Sequence, residues 1–347
     1  MLIIDASNVS GGGVVLLQYL VDKIQAKGYE FFLIKKPGTP VDVPPDLVVE
    51  AISPNFKRKT FLKKYIDSLQ AKRLLCFGNF PPPFKTNIRT ITYFHNLHIL
   101  RDHDQTNHTF PDRVRSIARR MYMRFYLNNS TEFVVQTPLV KDGFVESFNI
   151  PADKVKIFPF FNEEKIVAAK GGYERTGIRK QSQTFLYASS SESHKNHINL
   201  LNAWRLLAKD GLYPTLLLTI SPQSPFTTTR LKTYLQALQQ EGVRVNNLGN
   251  ISYEKLLDHT YSSSFCVFPS LNETLGLGLV EAQLMGNPIA VSQRPFLKYV
   301  VKPTVEFDPY DPADIAAAVR KLLMQKNPAS ELIIQNKVNE FIDFLYQ

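Results

Sequence analysis

The sequence predicts an α/β protein of two domains, each built on a doubly wound parallel sheet. Three observations lead there. The chain has 347 residues, enough for two separate cores. Short apolar runs alternate with stretches of helical period along the whole chain, the pattern of repeated strand–helix units. A polar segment carrying Gly171, Gly172 and Gly177 divides the halves. Hydrophobic and charged contents of 44% and 21% set aside a disordered or fibrous chain.

In the first domain, expected over 1–162, residues 2–6 read as a strand and 7–13 as a polar, glycine-rich loop. Residues 14–26 read as a helix stopped by Gly28. The triplet Gly11-Gly12-Gly13 invites comparison with a dinucleotide fingerprint. If Gly11 and Gly13 are its first two glycines, the third position is Leu16, and the pattern fails. Further strands are expected at 31–34, 74–78, 89–94, 133–136 and 154–159, with an amphipathic helix from Thr137-Pro138 to 149. His95 directly follows the strand at 89–94, where a parallel sheet turns side chains into its ligand crevice. That position distinguishes it from His98, His103 and His108, and suits a donor to a substrate oxygen. A capping histidine without chemistry is the alternative.

Residues 163–182 read as an interdomain linker, and 183–329 as the second domain. A strand at 184–188 leads through Ser189 to Asn196 into a helix at 198–207. Lys195, beside that helix start, suits a phosphate as a point charge. Strands at 216–220 and 243–248 alternate with helices at 231–240 and 253–262, and Gly249-Asn250-Ile251-Ser252 forms a turn between them. The run 265–268 is a buried strand closed by Pro269.

Glu273 and Glu281 follow, eight positions apart, with Thr274, Gly276 and Gly278 between them. A helix is expected from Leu279 to near Met285, with Gly286 and Pro288 as stop signals. A helix start after a parallel strand is an anion site, because its N–H groups and dipole point outward. Acids bind hydroxyls rather than phosphate, so two acids flanking that cradle suit a sugar–diphosphate–ribose ligand. A helix-start acid beside a solvated loop acid explains the same residues without a ligand. A last strand at 289–292, a helix at 312–324 and a helical segment at 331–346 complete the chain.

The net charge is +10. Residues 57–126 hold 15 basic and 4 acidic side chains, so the surplus sits in the first domain. One basic set is Lys57-Arg58-Lys59, Lys63-Lys64 and Lys72-Arg73. The other, Arg113, Arg115, Arg119, Arg120 and Arg124 interleaved with Ile117, Met121, Tyr122, Phe125 and Tyr126, reads as a basic amphipathic helix. Such a helix suits an anionic membrane surface. A solvated face over core aromatics is the plainer reading. No RNP, KH or zinc-finger pattern points to nucleic acid. No apolar run approaches the ~18 residues of a membrane span. Asp5 interrupts the first apolar run too early for a signal peptide. Cys76 and Cys266 lie in apolar runs without metal-ligand spacing, as inert core thiols of a reducing cytosol do.

The run Pro269-Ser270-Leu271-Asn272-Glu273-Thr274-Leu275-Gly276-Leu277, followed by Glu281-Ala282 and Gly286-Asn287-Pro288, resembles the Glu-x7-Glu signature of family-4 (group 1) retaining glycosyltransferases. The resemblance implies the GT-B fold, two Rossmann-like domains facing each other across a cleft. It implies that Glu273 meets the donor sugar, that the backbone of Thr274, Leu275, Gly276 and Leu277 meets the diphosphate, and that Glu281 holds the ribose. By the same resemblance Lys195 lies on the diphosphate, the backbone at Ile251 meets the nucleobase, and Gly12 and Gly13 face the donor phosphates and acceptor. His95 contacts the sugar near the reacting centre, and the terminal helix, 330–347, crosses back to the first domain.

The sequence departs from the family in two places. Glu-Thr-Leu-Gly stands for the usual Glu-Gly-Phe-Gly, and Ser189 stands where the family has a phosphate-binding arginine. The function implied is retaining transfer from a UDP- or GDP-sugar to a saccharide or lipid-linked saccharide, without cofactor or metal. Its expected setting is bacterial polysaccharide or lipopolysaccharide assembly, in the cytoplasm at the inner face of the membrane. Arg115, Arg119, Arg120 and Arg124 are the expected membrane contacts. A non-catalytic sugar-nucleotide- or membrane-binding relative, and a GT-B phosphorylase or epimerase, are the alternatives. Donor, acceptor and linkage depend on loops such as 96–111 and 221–229, and nothing in the sequence sets an oligomeric state.

Overall fold

The computed structural model describes residues 1–51, 58–100, 110–178, 180–221, 231–325 and 330–347. The chain divides into two compact units. The first holds the described residues up to Asn162 together with Gln335–Gln347, and the second holds Glu163–Ile334.

The first unit runs β1 (Leu2–Ala6), α1 (Gly12–Ala26), β2 (Phe31–Lys35), β3 (Val48–Glu50), α2 (Arg58–Ser68), β4 (Arg73–Cys76), β5 (Arg89–Tyr93), α3 (Phe110–Tyr126), β6 (Glu132–Val135), α4 (Pro138–Phe148) and β7 (Val155–Ile157). Its seven parallel strands lie in the order β3-β2-β1-β4-β5-β6-β7. Every residue of β1 is buried, as expected for a strand covered on both faces. Sheet growth reverses between β1 and β4, and at such a point the loops after the two strands part to leave a crevice. Cys76 and Cys266 are both buried, and burial pushes each thiol up to about 12, which keeps them inert.

The second unit runs α5 (Glu163–Thr176), β8 (Gln181–Tyr187), α6 (His197–Lys209), β9 (Thr215–Leu218), α7 (Lys232–Gln240), β10 (Val245–Asn247), α8 (Tyr253–Ser262), β11 (Ser263–Phe268), α9 (Leu277–Leu284), β12 (Ile289–Ser292), α10 (Leu297–Val300), β13 (Val301–Lys302), β14 (Val305–Phe307), α11 (Pro312–Met324) and β15 (Glu331–Leu332). Its main sheet is also parallel, in the order β10-β9-β8-β11-β12-β14, and the reversal falls between β8 and β11.

The final helix, α12 (Val338–Tyr346), belongs to the first unit. Its last carbonyls, at Phe344 and Tyr346, accept from Arg89 Nη1 (2.5 Å) and Arg73 Nη2 (2.6 Å). Two cations thus cap the negative end of its dipole.

The structure corrects several expectations. The polar stretch 163–182 is not an open linker: most of it is α5, whose Ile166 packs in a buried cluster with Leu257 and Met285. The terminal helix starts at Val338 rather than 331, because Glu331–Leu332 pairs with β13. Arg58, read as one of a basic set, is buried. Residues 101–109 and 222–230, within the loops expected to vary with substrate, lie outside the described residues. So does Lys57. Among the described residues no helix is long and apolar enough to cross a membrane.

Candidate active site

In the second unit, β8 and β11 are neighbours at the reversal point, and the loops leaving their carboxyl ends are stitched together. Leu271 N donates to His194 O at 2.8 Å. Asn196 Nδ2 donates to Pro269 O at 3.2 Å and to Pro309 O at 2.7 Å, holding Asn196 at a φ of 57°. The Tyr187 hydroxyl donates to Lys195 O at 2.8 Å and lies 2.9 Å from Ser270 Oγ. This frame places Lys195 Nζ 2.7 Å from Glu273 Oε1, with the two side chains 16% and 15% exposed. Burial disfavours the lysine charge, but the Glu273 carboxylate outweighs it and holds Lys195 above the ordinary lysine range.

Beyond Glu273 the chain enters α9 two residues earlier than expected, at Leu277. Gly276 takes a left-handed φ of 67°, and a Cβ there would stand 3.0 Å from Leu279 Cδ1. Leu275 buries its side chain and pins the loop, while Thr274, Gly276 and Leu277 are half-buried. The helix start has no side-chain cap among the described residues, so its first N–H groups are available to an anion.

Because α9 begins early, Glu281 lies one turn inside it rather than in the first turn, and it is only 5% exposed. Burial pushes its carboxyl up to about 7, against the hydrogen bond from Tyr253 that favours the charged form. Tyr253 is the first residue of α8, directly after the turn that holds the half-buried Ile251 and the capping Ser252. Tyr253 thus links the expected base-binding turn to the expected ribose acid. Tyr253 carried no signal of this in the sequence, where it is one helix-start aromatic among many.

Ser189, standing where the resembled family has arginine, is partnered. Its N–H donates to Thr219 Oγ1 at 3.0 Å, and its Oγ lies 3.1 Å from His197 Nε2. Burial, with the Lys195 charge nearby, lowers His197 to about 3, so a neutral hydroxyl–imidazole pair occupies this place.

In the first unit, Gly12 and Gly13 form the opening turn of α1 instead of a loop. A Cβ on Gly13 would stand 3.2 Å from Val9 Cγ1 and 3.6 Å from His95 Nε2, so the opening turn of the helix lies beside the imidazole. His95 N donates to Asn79 Oδ1 at 2.7 Å, and Asn79 Nδ2 lies 3.2 Å from His95 Nε2. Burial lowers His95 from the usual 6.5 to about 4, so the ring is neutral. Nearby, Arg58 Nε donates to Asp5 Oδ2 at 2.8 Å, and the guanidinium also donates to Pro81 O and Phe80 O. This buried ion pair ties the end of β1 to the segment after β4. Neither Asn79 nor Arg58 was singled out from the sequence. Asn79 carried one local cue, an asparagine following Gly78 just past a strand, where a left-handed φ is common.

The α3 arginines divide. Arg115 and Arg119 are exposed. Arg120 instead donates to Ile99 O at 2.7 Å and Leu100 O at 2.5 Å, and Arg124 donates to Ser147 O at 3.0 Å. Those bonds staple the helix to its unit; Arg120 is half-buried, whereas Arg124 remains exposed. The apolar residues of α3 behave oppositely. Phe110, Val114, Ile117, Met121 and Phe125 share one face by their spacing, and all are exposed, Phe110 by 79% and Phe125 by 80%.

Residues 173–338 match the family model described as glycosyl transferases group 1. The chain is similar to the solved structure of sucrose-phosphate synthase from Thermosynechococcus elongatus, with a TM-score of 0.72 and 17% identity over 100% of this chain and 94% of that one. It is similar to Anabaena HepE in complex with UDP and glucose, with a TM-score of 0.63 and 12% identity over 100% and 95%. It is also similar to WaaG, a glycosyltransferase involved in lipopolysaccharide biosynthesis, with a TM-score of 0.62 and 13% identity over 94% and 91%. These likenesses establish the fold as GT-B. No curated protein matches the sequence.

Proposed function

We propose that this chain, whose second unit matches the group 1 glycosyl transferase model, moves a sugar from a nucleotide-diphosphate sugar to an acceptor hydroxyl with net retention. The observation that carries the reading is the Lys195–Glu273 pair beside the uncapped start of α9. The bond between the anomeric carbon and the diphosphate oxygen breaks. The departing diphosphate takes up negative charge beside the Lys195 ammonium and the N–H groups of Gly276 and Leu277. The acceptor hydroxyl attacks the same face and passes its proton to the leaving phosphate oxygen. Charges held in place before the bond breaks supply most of the acceleration.

Glu273 accepts from the hydroxyls of the transferred sugar, and Glu281 from those of the ribose, with Tyr253 beside it. The backbone at Ile251 meets the base, a uracil or a guanine; the UDP bound in the Anabaena relative supports the former. Gly12, Gly13 and the neutral His95 serve the phosphates and the reacting sugar from the first unit. With Ser189 uncharged, the diphosphate rests on Lys195 and backbone donors. No metal is needed for this chemistry, so a chelator is expected to leave the rate unchanged.

The acceptor is a saccharide or a lipid-linked saccharide at the inner face of a bacterial cytoplasmic membrane, in surface polysaccharide or lipopolysaccharide assembly. The exposed apolar stripe of α3, with Arg113 and Arg115 to either side of it, supports contact with an anionic bilayer. A thermal-shift panel of UDP- and GDP-sugars, followed by product analysis for anomeric configuration, tests the reading. Glu273→Ala turning over every accepted donor at the wild-type rate would sink it. Ser189 in place of a cation favours one second reading, a sugar-nucleotide-binding protein without turnover. Donor-induced stabilisation without product from any acceptor would select that one.

A further inference from the structure

We infer that Asn79 is a positioning residue that locks the His95 imidazole as its Nδ1–H tautomer, making it a hydrogen-bond donor that cannot act as a base. Two hydrogen bonds from one amide carry this. The backbone N–H of His95 can only donate, and it meets Asn79 Oδ1 at 2.7 Å. The amide must therefore turn its NH2 toward the ring, where Nδ2 lies 3.2 Å from His95 Nε2. An NH2 group offers donors and no acceptor, so Nε2 accepts and carries no hydrogen. The single proton of the neutral ring is left on Nδ1.

The surroundings support a neutral ring. The imidazole sits against the rings of Phe77 and Tyr93, with centroids at 6.2 and 5.5 Å, and burial disfavours its charge. Nδ1 is buried and has no hydrogen-bond partner among the described residues. A buried donor left unpaired in the chain calls for a partner that the chain does not supply. Asn79 is itself buried and held at a φ of 72°, a left-handed conformation that asparagine accepts more readily than most residues. A buried asparagine with both ends of its amide on one histidine orients that histidine.

The kinetic consequence rests on the reading of His95 as a residue of the transfer reaction; the tautomer does not. The test is therefore split. Heteronuclear NMR of the imidazole nitrogens in the full-length protein, with His95 assigned by its loss in His95→Gln, reads the tautomer directly. Wild type is expected to show the proton on Nδ1. Asn79→Asp keeps an acceptor for the His95 N–H and tolerates positive φ, but presents a carboxylate to Nε2. It is expected to move a proton onto Nε2. Asn79→Gly, which also suits this backbone, is expected to leave a mixture. A wild-type proton on Nε2, or an unchanged tautomer in Asn79→Asp, overturns the inference. In the kinetic arm, Asn79→Asp is expected to lower kcat by about 10²-fold, the usual loss for one misplaced donor, with the donor KM little changed. A flipped tautomer with kcat intact sinks the role of His95 in transfer while the lock stands.

Discussion

Lys195 Nζ and Glu273 Oε1 meet at 2.7 Å although 78 positions separate them. The pair is shielded from water, so each charge satisfies the other until a ligand arrives. A diphosphate competes for the lysine and a sugar hydroxyl for the acid. Lys195→Ala is expected to lower kcat/KM by about 10²–10³-fold, the loss typical of one transition-state charge donor. Initial-rate measurement against a donor series checks this. The thermal shift given by the free nucleotide diphosphate is expected to fall with it.

Glu281 gives a pH signature. Its folded-state pKa of about 7 lies above the ordinary 4.5, so the native protein holds a proton that the unfolded chain releases between those values. Stability from this group therefore falls as pH rises from 4.5 to 7, by about 3 kcal/mol at roughly 1.36 kcal/mol per unit. Glu281→Gln is expected to be more stable than wild type at pH 8 and equal to it near pH 4.5, in urea titrations. Ribose hydroxyls donate better to the carboxylate than to the acid. Donor affinity is thus expected to rise about tenfold through pH 7 in wild type and to stay flat in Glu281→Gln.

The two buried imidazoles act in the opposite sense. His197 and His95 have folded-state values of about 3 and about 4, below the usual 6.5. The unfolded chain binds more protons in that window, so stability is present above pH 6.5 and is lost as pH falls toward 4. Chemical denaturation at stepped pH should show this slope, and His197→Gln is expected to remove a large part of it.

Gly276→Ala tests the backbone at the anion site. The substitution places a Cβ on a residue with φ of 67° and against Leu279 Cδ1. It is expected to cost about 1–2 kcal/mol, read as a drop of a few degrees in Tm. Donor binding should weaken as well, because relief of the strain moves the N–H groups that open α9.

The face of α3 separates surface residues from staples. Met121→Glu with Phe125→Glu is expected to abolish cosedimentation with anionic vesicles and leave Tm unchanged. Arg115→Glu with Arg119→Glu is expected to weaken the same binding in a salt-dependent way, at about 1 kcal/mol per charge. Arg120→Ala is expected to lower stability by about 1–3 kcal/mol instead, since its guanidinium satisfies the Ile99 and Leu100 carbonyls. Vesicle binding that survives the double glutamate substitution rules out the membrane role of this face.

Local patterning was enough for the elements whose signal lies within a few residues. β1 and β12 are mostly apolar and buried throughout because parallel strands are covered on both faces, and both fall where expected. The acids Glu273 and Glu281, the glycine that opens α9 and the helix behind it are contained in one short segment, so their spacing was legible without a fold. The misreadings have a common origin. α5 looked like a linker because it is polar and carries two glycines, and only Leu257 and Met285, brought from far along the chain, reveal why Ile166 belongs to a helix. Arg58 counted only as one of a basic run, and its place in the core depends on Asp5, 53 positions away.

Periodicity reports which way a side chain points from its own element and says nothing of what stands opposite. The order of strands decides that. Because β8 and β11 adjoin at the reversal of the second sheet, Lys195 reaches Glu273. Because the segments after β1, β4 and β5 converge at the carboxyl edge of the first, Gly13 and Asn79 meet His95. The residue types and the chemistry open to them were written along the chain; which residue each one faces, and so its charge and tautomer, was decided only when each sheet assembled in its own strand order.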